Sequence, residues 1–206
     1  MTELAGKLVV IKVSGDPLDL AGEVLAHIDD HTWQVDAAAK RVIDPAVAPV
    51  LELYDGANWN EISYLSVNRL SGTFKFDGDG YVSTEDIRVK SGNYLPMSTA
   101  ATAHSYSYNR GVDLFEVNRF GINHKKRIKG TKFANGTINQ WDVIDSYFED
   151  ALTNGDVVVM EFKPEEAAAP QRLWALVESD EMSAAIDSAQ DRAVSFISTD
   201  ELLNII

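Results

Sequence analysis

The chain has 206 residues, 45% of them hydrophobic, enough for one large or two small domains with a real core. It contains no cysteine, which excludes disulfide staples and thiolate metal sites, and 18 basic against 32 acidic residues leave a net charge of −14. Nucleic-acid binders neutralise phosphates with Lys and Arg, so a chain this acidic is a poor match for gripping DNA.

The opening stretch MTELAGKLVVIKV lacks a basic leader region and a small-residue cleavage site, and is not expected to be a secretion signal. No apolar run approaches the roughly 20 residues of a membrane span. The expectation is a soluble protein made in a reducing cytoplasm. Leu8–Val13 then reads as a strand, ended by Ser14-Gly15-Asp16-Pro17. Thr32–Val35 is a second strand, and Asp44-Pro45 starts a break. Val50–Tyr54 and Asn60–Tyr64 flank Asp55-Gly56-Ala57-Asn58, which predicts a hairpin. Thr73–Phe76 and Ile87–Val89 follow, and the run closes at Gly92-Asn93-Tyr94-Leu95-Pro96. Residues 1–96 therefore read as an all-β module.

From residue 97 the pattern changes to longer strands. His104, Tyr106 and Tyr108 share one face, opposite Ser105, Ser107 and Asn109, and Val112–Val117 continues that strand. Arg119, Lys125, Lys126, Arg127, Lys129 and Lys132 follow without an intervening acid, six of the 18 basic residues in one short segment. Such a segment on an acidic body is a solvated loop or half of a self-complementary interface. Ile128–Trp141 returns as a long strand with Ala134, Gly136 and Ile138 on one face.

Trp141–Pro164 predicts one helix and one buried strand. Asp142 is placed to cap, Asp145 sits near the positive end of the helix dipole, and Val143, Ile144, Tyr147, Phe148, Ala151 and Leu152 form one apolar stripe. Asn154-Gly155 stops the helix, and Val157–Phe162 is the strand. Glu165–Pro170 reads as a hairpin tip, and Arg172–Val177 and Arg192–Ile197 as the last strands.

No motif in this sequence carries chemistry. Asp77-Gly78-Asp79-Gly80 starts like a calcium loop, but Tyr81 stands where the third oxygen ligand belongs, so a turn is the better reading. His27 and His31 are four apart, yet the neighbouring Asp29-Asp30 and Trp33 indicate a loop leading into a strand and not a helical metal pair. Phosphate loops, GxSxG and HExxH are missing. Trp33, Trp59, Trp141 and Trp174 lie in or beside apolar strands, where burial is the default. No enzymatic activity, cofactor or metal is expected.

Several phrases occur in a telling order: Ala103–Asn109; Glu116-Val117-Asn118-Arg119-Phe120-Gly121 before the basic segment; Asp145-Ser146-Tyr147-Phe148 with Asp150-Ala151-Leu152 and Asn154-Gly155; then Trp174-Ala175-Leu176-Val177, Asp180–Ala185 and Ala193-Val194-Ser195-Phe196. Together, over residues 97–206, they resemble the core domain of the major tail tube proteins of long-tailed, siphovirus-like bacteriophages. Asn68–Phe76 and Gly92–Pro96 resemble the N-terminal β extension that some of these proteins carry.

The resemblance implies a mainly β fold: a β-sandwich or barrel-like tube core with one flanking α-helix over 97–206, and an N-terminal all-β extension over 1–96. It also implies a structural virion protein located in the tail and assembled in the host cytoplasm. Homohexameric rings would stack into a tube and meet other tail proteins at its ends, while DNA passes through during ejection without specific binding. By position, the loop from Arg119 to Lys129 would reach the adjacent ring through Arg119, Lys125, Lys126, Arg127 and Lys129. Glu178, Asp180, Asp187 and Asp191, polar positions beside core strands, would face the lumen. The competing readings are a monomeric β-sandwich binding module decorating a virion, and the tube of a phage-derived particle such as a tailocin or gene transfer agent.

Overall fold

The computed structural model describes residues 10–29, 31–77, 81, 84–99, 103–117, 126–141, 147–163, 170–183, 191–199 and 203–204. The fold is mainly β, with several antiparallel sheets and, among the described residues, one α-helix, as a sandwich-like reading requires. The first eleven strands are β1 (Val10–Ser14), β2 (Leu18–Asp19), β3 (Leu25–Asp29), β4 (Thr32–Val35), β5 (Val50–Tyr54), β6 (Trp59–Ile62), β7 (Ser66–Asn68), β8 (Thr73–Lys75), β9 (Asp86–Ser91), β10 (Asn93–Tyr94) and β11 (Met97–Thr99). Longer elements follow: β12 (Ala103–Val117), β13 (Lys126–Trp141), α1 (Tyr147–Asn154), β14 (Val157–Lys163), β15 (Gln171–Ser183), β16 (Asp191–Ser198) and the short β17 (Leu203–Asn204).

The chain divides into two compact units, Ser14–Ser98 and the remainder. This corrects the expected division into 1–96 and 97–206. β1 does not belong to the N-terminal module. It pairs antiparallel with β14, Ile11 opposite Phe162 and Val13 opposite Met160, and takes its place in the core sheet. The physical reason is apolar burial: Ile11 is fully buried and Val13 nearly so, in the same cluster as Met160 and Phe162. The module of Ser14–Ser98 is thus an insertion between two strands of the core. Within it Gly15 N–H donates to Pro96 O at 2.8 Å, so its two ends adjoin.

The core unit is one eight-stranded sheet in the order β11-β1-β14-β15-β16-β13-β12, with β17 added on β15. Three strands separate β14 from β12, yet the Tyr106 and Tyr108 rings lie 4.9 and 5.9 Å from the Phe162 ring, so the sheet curls over its own apolar face. Phe162 in turn stacks on Phe196 at 5.5 Å. Gly136 makes the curl possible. A Cβ there would lie 2.2 Å from Ser107 O and 2.8 Å from Phe196 Cζ, and only glycine leaves room for that ring.

α1 closes the unit by burying Phe148 and Ala151 in this cluster, while Leu152 stays partly exposed. Gly155 has φ +70°, and Asp156 N–H donates to Ala151 O at 3.0 Å, a six-to-one bond of the Schellman type that ends the helix where the sequence places its stop. The expected cap at Asp142 and first-turn Asp145 lie outside the described residues. β14 is buried at five consecutive positions from Val158 to Phe162, the continuous pattern of a strand covered on both faces.

The inserted module is a small sandwich. Sheets β3-β4-β8-β7 and β6-β5-β9 share a core of Leu25, Trp33, Val35, Phe74, Leu51, Ile87 and Val89. The β5–β6 hairpin forms as expected, with Asp55 Oδ1 accepting the N–H groups of Ala57 and Asn58 at 2.9 and 2.7 Å. One element differs from expectation. His27 is not in a loop but in β3, opposite Trp33, which its ring meets edge-on at 5.0 Å. The expected turn at 77–80 falls mostly outside the described residues.

Candidate assembly surface

Strand alternation divides β12, β13 and β16 into two chemically distinct faces. The inward rows are Tyr106–Ile138–Val194 and Tyr108–Gly136–Phe196, and they build the core. The outward rows are Ser105–Asn139–Ala193, Ser107–Thr137–Ser195 and Asn109–Asn135–Ile197. All nine outward residues are half-buried or exposed, and none is charged, on a chain of net charge −14. Asn139 Nδ2 donates to Ser105 Oγ at 3.0 Å across the first row, so part of this face is tied by its own side chains.

β12 ends the sheet path. Its 15 residues pair with β13 on one side, and among the described residues no strand pairs on the other. An edge of that length presents a row of backbone donors and acceptors to any chain that meets it. The inward end of the strand is anchored: Tyr108 Oη donates to Gln171, and Arg110 Nη2 reaches the same Gln171 oxygen at 3.0 Å. Burial pushes the Tyr106 phenol pKa up, with the neighbouring Tyr108 adding to the shift, so the Tyr106 ring stays neutral at ordinary pH.

The basic segment is placed differently from the expected loop. Arg119 and Lys125 lie outside the described residues. Lys126, Arg127 and Lys129 are backbone members of β13, opposite Val117, Glu116 and Leu114. The long β12–β13 ladder continues past the register shift at Val112/Leu114 and so holds three of the five cations in strand and not in a loop.

The four acids expected at the lumen fall into different settings. Glu178 is exposed in β15. Asp180 is not an open charge: Arg192 Nε donates to its Oδ1 at 2.7 Å and the same guanidinium engages Oδ2, both side chains being largely buried. The cause is the register shift between Val177 and Ser179, which sets Asp180 opposite the core residue Val194 and so turns it inward. Asp187 lies outside the described residues, and Asp191 is described as the first residue of β16.

A second buried charge group was not visible in the sequence. Lys12, Glu161 and Arg172 stand in register across β1, β14 and β15, on the face opposite the apolar core. Arg172 Nε donates to Glu161 Oε2 at 2.7 Å, and Lys12 Nζ lies 3.0 Å from Oε1. Burial works against the Glu161 charge, but Arg172 and Lys12 together hold its carboxyl below the usual range. Among the described residues no three of His, Asp and Glu gather as a metal site, and no helix is long and apolar enough to cross a membrane.

No protein-family model matches this chain, and no curated protein matches it. Among solved structures it is similar to a chain from the tail of an empty gene transfer agent particle with C6 symmetry, at TM-score 0.45 and 9% identity over 54% of this chain and 87% of that one. It is also similar to a chain from the virion of a native gene transfer agent particle, at TM-score 0.43 and 12% identity over 52% and 86%.

Proposed function

We propose that this chain is a structural protein of a phage-like tail, and that its copies form hexameric rings that stack into a tube through which genome DNA passes during ejection. The observation that carries the reading is β12: a 15-residue edge strand whose outward positions Ser105, Ser107 and Asn109 open a charge-free patch on a strongly acidic chain. Copies carrying −14 each repel one another, so they associate most readily where that charge is absent. Strand-to-strand pairing at such an edge covers it and closes naturally into a ring. The order of sequence phrases shared with tail tube proteins supports the same reading.

In this proposal Lys126, Arg127 and Lys129 of β13, together with Arg119 and Lys125 from the same basic segment, meet acids on the adjacent ring. Exposed pairs contribute only about 0–1 kcal/mol each, but sixfold repetition multiplies a weak contact. Glu178, Asp187 and Asp191 remain lumen candidates, with DNA centred by repulsion and not bound. Asp180 is set aside because Arg192 neutralises it.

Negative-stain microscopy of concentrated protein, with sedimentation velocity alongside, tests the reading. Rings or tubes are expected. Ser107→Glu, which places a like charge at the edge, is expected to leave a folded monomer that does not form rings. A monomer at every concentration would overturn the proposal and favour a virion-decorating binding module.

A further inference from the structure

The outward face of the β6-β5-β9 sheet in the inserted module differs from an ordinary solvated sheet surface. Register sets Trp59 opposite Tyr54 and Tyr54 opposite Asp86 in one row, and Glu61 opposite Glu52 and Glu52 opposite Arg88 in the next. The Trp59 and Tyr54 rings are 5.1 Å apart and lie outside the apolar core cluster of the module. Each keeps more than a third of its surface in water, 36% and 38%. Trp33 and Trp174, by contrast, are buried. Two large aromatics that touch each other, the Arg88 guanidinium and solvent, and not the core, leave a partly open apolar surface.

Polar contacts frame the pair. Glu52, only 6% exposed, accepts from Arg88 Nε, and this fixes the Arg88 guanidinium 3.8 Å above the Trp59 ring. Asp55 ties the preceding turn to Ala57, Asn58 and Asn60, with Asn60 Nδ2 at 2.8 Å, and Tyr54 Oη donates to Gly56 O at 3.1 Å. A preformed aromatic surface loses little entropy when a ligand settles on it. The charges around it select the ligand. Arg88 is paired with Glu52 and Lys90 with Glu61, so the cations are matched, while Asp86 adds a further carboxylate. A polyanion is repelled there. A neutral ligand with an apolar flank for the rings and hydroxyls for the carboxylates fits.

We propose that Trp59 and Tyr54, with Asp86 and Glu61 beside them, form a binding platform for neutral oligosaccharides. Saturation-transfer NMR of the full chain with cellohexaose, maltohexaose and chitohexaose, and with polygalacturonate as the anionic arm, tests it. At least one neutral hexaose is expected to bind at millimolar concentration, with affinity about tenfold weaker in Trp59→Ala and retained in Trp59→Tyr, and polygalacturonate is expected to give no signal. Circular dichroism of each variant checks that the fold survives, and microscopy of Trp59→Ala reports assembly independently of sugar binding. Absence of transfer from all three neutral sugars, equal binding by the folded Trp59→Ala, or equal binding of the polyanion would overturn the proposal.

Discussion

A chain beginning at residue 97 is expected to fold poorly, although it contains every strand from β11 onward and the helix. It lacks β1, and with it Ile11 and Val13, fully or almost fully buried against Met160 and Phe162. Burying an aliphatic side chain of this size stabilises by about 1.5–3 kcal/mol, so the two together contribute roughly 3–6 kcal/mol. The truncation also exposes the β14 edge and removes Lys12 from Glu161; because Lys12 is partly exposed, that pair adds only about 0–1 kcal/mol. A domain of this kind has about 5–15 kcal/mol in total, so most of the margin goes. Excising the insertion behaves differently. Gly15 and Pro96 are joined by a 2.8 Å hydrogen bond, so residues 16–95 can be replaced by an Asn-Gly turn without moving β1. Urea unfolding followed by circular dichroism compares the two chains. The excised chain is expected to show one cooperative transition, and the 97–206 chain to be unfolded or lower by about 3–6 kcal/mol. Equal stability of the two would refute the assignment of β1 to the core.

Three further outcomes follow from named residues. Glu161→Ala leaves Arg172 buried without its carboxylate and is expected to cost about 3–5 kcal/mol in urea unfolding. Because the Glu161 pKa is depressed in the fold, its contribution is present above the unfolded value of about 4.3 and is lost as pH falls through the folded value; Glu161→Gln should flatten that acid limb, and an unchanged profile would refute the linkage. Gly136→Ala brings a Cβ to 2.2 Å from Ser107 O and is expected to cost about 1–3 kcal/mol or more, read as a lower Tm. Changing Lys125, Lys126 and Arg127 together to Glu is expected to leave folded subunits that do not stack, and normal tubes from that variant would remove the inter-ring role.

The sequence by itself determined the local elements of this protein. The Val157–Phe162 strand, the helix stop at Asn154-Gly155, the Asp55–Asn58 hairpin turn and the two-faced pattern of Ser105–Asn109 are set by side-chain period and by turn residues, which act over a few positions. What only the tertiary structure decided is long range. β1 and β14 are about 150 residues apart, and no local pattern states that Ile11 will face Phe162. The same holds for the Lys12–Glu161–Arg172 row, which exists only once three strands stand in register. It holds as well for Asp180, which a one-residue shift in β15 turned from an expected open acid into the partner of Arg192. The charge-free outward face required both kinds of information. Alternation along β12 was legible in the chain, but that β13 and β16 would continue it with Asn, Thr, Ser and Ala, and so leave one neutral surface on an acidic protein, depended on which strands the hydrophobic core brought side by side.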